Sequence, residues 1–224
     1  EIMERENKDM IVNMLYVRSS LERANESRRE MEAVNVKLLK QSETDQMTGL
    51  ANRYRLNAYS EKVLDYCYEH RLPLAMEILD IDFFKQYNDN YGHQQGDECI
   101  IAIANELKKM EDGQTFCARY GGDEFIIIYA GISAEEVHAK AGALRQNIMN
   151  LKLEHLYSNA LPIVTISQGI SYGVPEEGNR SWDFLHTADM LLYQVKKRSR
   201  NDICIADIRG QELDLSSKQE KVEP

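Results

Sequence analysis

Apolar positions follow two different regimes along the chain. Residues 1–44 hold neither Gly nor Pro, and within them Met3, Met10, Val17, Ala24, Met31 and Leu38 fall seven apart. A second row, Asn7, Met14, Leu21, Arg28, Asn35 and Ser42, fills the other seam position and is polar at four of its six places. A four-three spacing sustained this far predicts a long helix paired in a parallel two-stranded coiled coil, with its polar seam residues weakening the pair and fixing its register. A lone helix of this length would have nothing against which to bury the seam. Because a marginal seam can hold more than one register, the segment is expected to pass a rotation from an upstream sensor module. The abrupt start without Met fits a chain that is a piece of something longer.

From about Asp45 the spacing changes. Asn52 is placed to cap a helix whose apolar positions Leu56, Tyr59, Val63, Tyr66 and Cys67 keep a helical period. RLPLAMEILDID reads as a strand after a Pro stop, and QYNDNYGHQQG as a loop by its Asn, Asp and Gly content. Asp97 is then expected to start a helix through Ile100, Ile101, Ala104 and Leu107. TFCARY and FIIIY flank GGDE as a hairpin, followed by a helix over 134–151, a strand in PIVTISQGISYG, a helix over 181–197 and a last strand, DICIA. Since a two-residue turn joins only antiparallel neighbours, this alternation predicts an α/β (α+β) domain on a mixed sheet. The expected division is a helix over 1–44, a globular domain over 45–206 and a polar, frayed tail over 207–224.

Composition narrows the chemistry. Among 224 residues, 43% hydrophobic and 29% charged suit a globular protein, while 37 acids against 27 bases give a net charge of −10 that repels nucleic acid polymers. No apolar run approaches the about 18 residues of a membrane span and no leader pattern opens the chain, so a cytoplasmic setting is expected. Cys67, Cys99, Cys117 and Cys204 lie far apart, and three of them sit in apolar or helical patterns that suit a buried thiol, with neither zinc spacing nor a disulfide framework.

The acids cluster at strand ends and turns: Asp80 and Asp82 in LDIDFFK, Asp97 in QQGDE, and Asp123 with Glu124 in YGGDEF. If the strand ending at Asp80 lies beside the hairpin, Asp80 meets Asp123 or Glu124, supplying the oxygen ligands of a Mg²⁺-dependent phosphoryl-transfer site. Gly121 and Gly122 would let backbone approach a ligand closely. A bland alternative stands beside each feature: GGDE as an ordinary turn, Asp82 as a solvated strand-end acid, Asn88 and Asp89 as a loop turn, Asp97 as an N-cap, and His93 as a loop hydrogen-bonding residue. The run KKRSR ends a helix, where cations favour the dipole or, alternatively, hold phosphate.

In order and spacing, DQMTGLANRY, LDIDFFKQYNDNYGHQQGDECI, RYGGDEF, TISQGIS and ADMLLYQVKKRSRND resemble the GGDEF family of diguanylate cyclases from 45 to about 205. The resemblance implies a palm-like fold related to adenylate cyclase catalytic domains, condensing two GTP into cyclic di-GMP across a homodimer that the 1–44 helix brings together. It implies Mg²⁺, or Mn²⁺ in its place, on Asp80, the Ile81 carbonyl, Asp123 and Glu124, with Asp123 also deprotonating the attacking hydroxyl. Gly121 and Gly122 would approach the nucleotide, and Phe83, Phe84 and Lys85 would hold its terminal phosphates together with Lys196 and Arg200. Asn88 and Asp97 resemble the guanine readers, and His93 a further nucleotide contact. Ser199 in place of Gly, Gln168 in place of an apolar residue, and Glu77 within an apolar strand depart from the pattern, as do Met47 and Val195 more mildly. Residues 112–115 read DGQT where an Arg-x-x-Asp product-inhibition site stands in other members, so no inhibition through that site is expected. The rival readings are a GTP-binding module that regulates a partner without turnover, and a dimerisation scaffold.

Overall fold

The computed structural model describes residues 14, 18–29, 31–32, 34 and 43–213. The chain divides into two units, Glu1–Glu43 and Thr44–Pro224. In the first unit residues 18–29 are helical, and Met14, Leu21, Met31 and Val34 are exposed. Most of the seam expected over 1–44, and the tail beyond 213, lie outside the described residues.

In the second unit α1 (Arg53–His70) is followed by β1 (Leu74–Ile81), α2 (Phe84–Tyr91), α3 (His93–Met110), β2 (Thr115–Gly121) and β3 (Glu124–Ala130). Then come α4 (Ala134–Asn150), β4 (Ile166–Gly173), α5 (Ser181–Arg198) and β5 (Ile203–Asp207). The five strands order as β2-β3-β1-β4-β5, antiparallel except for the parallel β4–β5 pair. This is the mixed sheet that the hairpin and the alternation of elements predict.

β1 is central and covered on both faces, so it reads as a nearly continuous apolar run. Leu79, Ile81, Phe125, Ile127 and Ile170 pack with the apolar stripes of α3 and α4 on one face. Met76, Ile126 and Ile128 pack on the other with Leu56 and Val63 of α1 and Phe184 of α5. Local signals set the helix starts: the Asn52 side chain accepts from Arg55 N–H at 3.0 Å, and Ser133 and Glu136 form a reciprocal capping box. α5 lies directly on β4 at Gly169, where an added Cβ would collide with the backbone of Ala188 and Leu192. That close approach carries the C-terminal end of α5 over the end of β1.

The segment expected as a loop after Asp82 is instead helical. Only Gly92, at φ 84°, separates α2 from α3, serving as C-cap of one and N-cap of the other. The α3 helix therefore begins at His93, not Asp97, and Asp97 sits inside it rather than capping it. Tertiary burial of Phe84, Tyr87, Cys99 and Ile100 overrides the turn-forming composition of the stretch. At the other end, Asp207 N donates to Gln211 O at 2.9 Å and Leu213 N to Ile205 O at 3.1 Å, so residues 207–213 turn back against β5.

Candidate active site

Asp80 is the penultimate residue of β1, and its Cα partners are Glu124 in β3 and Ser167 in β4. The hairpin turns on Gly122 and Asp123, with Gly122 at φ 54°, a conformation glycine adopts without strain. Asp80, Asp123 and Glu124 therefore gather at one end of the sheet. α5 adds Lys196, whose Nζ donates to Asp80 Oδ2 at 2.8 Å. Asp80 is only 8% exposed. Burial raises its pKa to about 6; Lys196 opposes the rise, while Asp123 and Glu124 add to it. Glu124 is raised in the same direction, first by burial and also by Asp123 and Asp189, with Lys196 opposing. Asp189, one face of α5 below Lys196, was not singled out by the sequence pattern. Carboxylates crowded this way are hard oxygen donors short of positive charge, an imbalance that a divalent cation relieves. Among the described residues, no three His, Cys, Asp or Glu side chains enclose an ion by themselves.

Three residues beyond Asp80 the chain turns into α2. Phe83 takes φ 57° and ψ 30°, left-handed for a bulky residue, and no side chain caps the helix it precedes. The first N–H groups of α2, through Phe84 and the exposed Lys85, are thus left for another acceptor. The Arg200 guanidinium lies 4.3 Å from the centre of the Phe83 ring. Asp82 is fully buried, which removes the alternative of a solvated strand-end acid. It accepts from Thr165 Oγ1 at 2.8 Å, Ser167 Oγ at 2.7 Å and Asn201 N at 3.0 Å, with Arg200 Nη1 at 3.9 Å. Strand alternation gave no hint of this, because its donors come from the start of β4, the residue just before it, and the turn after α5.

Asn88 lies in the last turns of α2 against Gly96 of α3, where an added Cβ would collide with Asn88 Oδ1. That oxygen is buried and without a hydrogen-bond partner. Asp97 follows Gly96 directly, while His93 opens the helix; both are exposed. Among the described residues no hydrogen bond or ion pair ties Lys85, His93 or Asp97 to the carboxylates around Asp80. The structure thus groups Asp80, Asp123, Glu124 and Lys196, groups Phe83 with Arg200, and sets Asn88 beside the Gly96 and Asp97 backbone.

Arg119 was passed over in the sequence although it stands in RYGGDEF. Its Nε and Nη2 donate to the Gly122 carbonyl at 3.1 and 2.8 Å, and its Nη1 to Asp45 Oδ1 at 3.2 Å, bracing the hairpin from outside the turn. Burial alone would raise the Asp45 pKa, but hydrogen bonds from Thr48 and Arg119 hold it below its usual value. The departures from the family pattern also find explanations. Ser199 has φ −137°, which any residue adopts, and its Oγ reaches Asp202 Oδ2 at 3.4 Å. Glu77 and Gln168 meet each other: Gln168 Nε2 donates to Glu77 Oε1 at 2.7 Å, and the Tyr129 hydroxyl to Glu77 Oε2 at 2.8 Å, all buried. Two departures are therefore one cluster, on the sheet face opposite Asp80. All four cysteines are free and buried, one more than the three whose sequence settings suggested it. No helix among the described residues is long and apolar enough to cross a membrane.

The family model described as "Diguanylate cyclase, GGDEF domain" matches residues 42–202. The probable diguanylate cyclase DgcC of Escherichia coli K12 is 35% identical over 163 residues, covering 71% of this chain and 42% of its own length. The chain spans less than half the length of the first curated relatives it matches. Among solved structures, the GGDEF domain of DgcB from Caulobacter crescentus in complex with c-di-GMP matches with a TM-score of 0.66 and 30% identity, over 73% of this chain and 92% of that one. The DgcB structure that includes its coiled coil matches with a TM-score of 0.67 and 28% identity, over 82% and 97%.

Proposed function

This chain belongs to the diguanylate cyclase GGDEF-domain family, and on that premise we propose that it condenses two GTP into cyclic di-GMP, releasing pyrophosphate. In this reading 45–206 is the catalytic domain, working as a homodimer held through the 1–44 helix and answering to an upstream sensor, with 207–224 a tail. The observation that carries the reading is the convergence of Asp80, Asp123 and Glu124 beside Lys196 at one sheet end.

Each domain holds one GTP. The guanine lies at Asn88 and Asp97, where the exposed Asp97 carboxylate accepts the N1–H and N2–H donors that adenine lacks. His93, at the start of α3, is a further contact. The open N-terminus of α2 at Phe83, Phe84 and Lys85 receives the terminal phosphates, with Lys196 and Arg200 adding positive charge. An added Cβ at Gly121 would meet nothing within 4 Å of the protein, so the missing side chain there serves clearance for substrate rather than internal packing. Asp123 takes the proton from the 3′-hydroxyl of one nucleotide as that oxygen bonds to the α-phosphorus of the other and pyrophosphate leaves. Asp80, the Ile81 carbonyl, Asp123 and Glu124 are suited to a divalent cation, Mg²⁺ or Mn²⁺, which when bound neutralises charge on the phosphates and lowers the pKa of the hydroxyl.

The absence of an Arg-x-x-Asp pair is matched by occupied chemistry at residues 112–115. Lys140 donates to Asp112 Oδ2 at 2.7 Å and, with other hydrogen bonds, holds its pKa at about 2. Control is therefore assigned to the N-terminal helix and not to product bound there.

The test is incubation of the dimeric chain with GTP and Mg²⁺, followed by chromatography for cyclic di-GMP and pyrophosphate. Product that persists in Asp123→Ala overturns the mechanism, and GTP binding without product identifies a regulatory module instead.

A further inference from the structure

Between α4 and β4 the chain makes a small hairpin, with His155 N donating to Pro162 O at 3.0 Å and Val164 N to Leu153 O at 2.8 Å. His155, at its base, is fully buried. Its Nε2 lies 3.2 Å from the Phe83 carbonyl oxygen, and a carbonyl only accepts, so Nε2 carries the proton and donates. Nδ1 is buried with no partner. Burial lowers the His155 pKa, against the opposing hydrogen bond to Phe83, which favours the neutral, single-donor ring.

The ring meets α2 edge-on, at 5.2 Å from Tyr87 and 6.3 Å from Tyr91, measured between centroids. The Tyr91 hydroxyl accepts from Leu156 N at 3.0 Å, fastening the hairpin to the helix. The Phe83 carbonyl also receives the first α2 hydrogen bond, from Tyr87 N at 3.0 Å. Glycine would take the left-handed conformation of Phe83 freely, but it would surrender the ring on which Arg200 rests. An aromatic residue here needs an outside hold on its backbone.

We propose that His155 is a positioning residue for the phosphate-binding turn: its Nε2–H holds Phe83 in the left-handed conformation that directs the open N-terminus of α2 and Arg200 toward the nucleotide's phosphates. The inference rests on the GTP-binding reading of the site. It separates a role for phosphates from one in overall folding, because the Nε2–H bond ends on Phe83, while the ring contacts to Tyr87 and Tyr91, on either side of Asn88, survive in a variant that keeps the ring.

The experiment uses the full chain with His155→Phe, which keeps the ring contacts and removes the donor, and His155→Gln, whose terminal amide returns a donor near Nε2. Titrations with GTP and Mg²⁺, with guanosine, and thermal melts are run on each. The expected result is GTP affinity weakened about tenfold in His155→Phe, with guanosine affinity within about twofold of wild type and recovery in His155→Gln. In turnover the loss falls on KM and not kcat. Unchanged GTP affinity, or equal losses for GTP and guanosine, overturns the proposal. If His155→Phe does not fold, the contrast between His155→Gln and His155→Asn, whose amide is too short to reach, decides it: equal GTP affinities overturn the proposal and a deficit in Asn alone sustains it. A wild-type chain that binds GTP but makes no cyclic di-GMP defeats the catalytic reading and leaves these binding comparisons intact.

Discussion

Glu77 and Asp80 stand three residues apart on β1, both almost wholly buried, and burial pushes their pKa values up to about 7 and about 6. Their surroundings differ. Glu77 faces α3 and α4 and is sealed by neutral donors, the Tyr129 hydroxyl and the Gln168 amide. Asp80 faces the other way, at the sheet's end, against an ammonium and two further acids. A buried acid with a raised pKa is thus not by itself a sign of chemistry. What distinguishes the Asp80 cluster is that like charges are held together at an edge the protein leaves reachable, whereas the Glu77 cluster completes a core.

Exchanging the two roles breaks or sharpens that contrast. Asp80→Asn is expected to lower cyclic di-GMP formation by more than about a hundredfold while the melting temperature stays within a few degrees, read by product chromatography and calorimetry. Retained product would show that the edge acids are not the working group. Gln168→Leu is expected to do the reverse, since it leaves a buried carboxylate oxygen without its donor. The loss is about 1–3 kcal/mol, at about 2–4 °C each, with activity little changed. A Gln168→Leu chain that melts like wild type but makes no product would erase the contrast.

Glu77→Gln tests the titration. The folded-state pKa lies above the unfolded value, so the folded chain binds the extra proton between about pH 4.5 and about 7, and stability from this group is full below that window and falls as pH rises through it. Replacing Glu77 with Gln is expected to flatten the fall in melting temperature between pH 5 and 7, and an unchanged slope would assign it elsewhere. The smallest effect belongs to Ser199→Gly. With Ser199 at φ −137°, glycine brings no relief and adds freedom to the unfolded chain, so a loss of about 0.4–1 kcal/mol is expected in denaturant melts, without a gain in turnover.

The hairpin, the acids at its turn, the mixed sheet and the apolar periods of α1 and α3 were legible because each depends on neighbours in sequence. The α2 helix was hidden because Asn, Asp and Gly in QYNDNYG are turn formers, outweighed only when Phe84 and Tyr87 find the core. Arg119, Asp189 and His155 escaped notice, and the burial of Asp82 went unread, for a common reason: their partners arrive from distant segments, and an isolated acid, arginine or histidine carries no periodic mark. Gln168 and Glu77 looked like separate irregularities until β1 and β4 placed them side by side.

Gly169 holds no charge and touches no substrate, yet it sets a mechanical tolerance. The absence of one carbon lets a whole helix rest on the sheet, and with it the height of Lys196 above Asp80. A side chain there would lift α5 like a shim under a beam, and the ammonium would lose its reach although every acid and cation kept its identity. Part of this site's specification is therefore written in clearances, at positions where a survey restricted to reactive groups would find nothing to read.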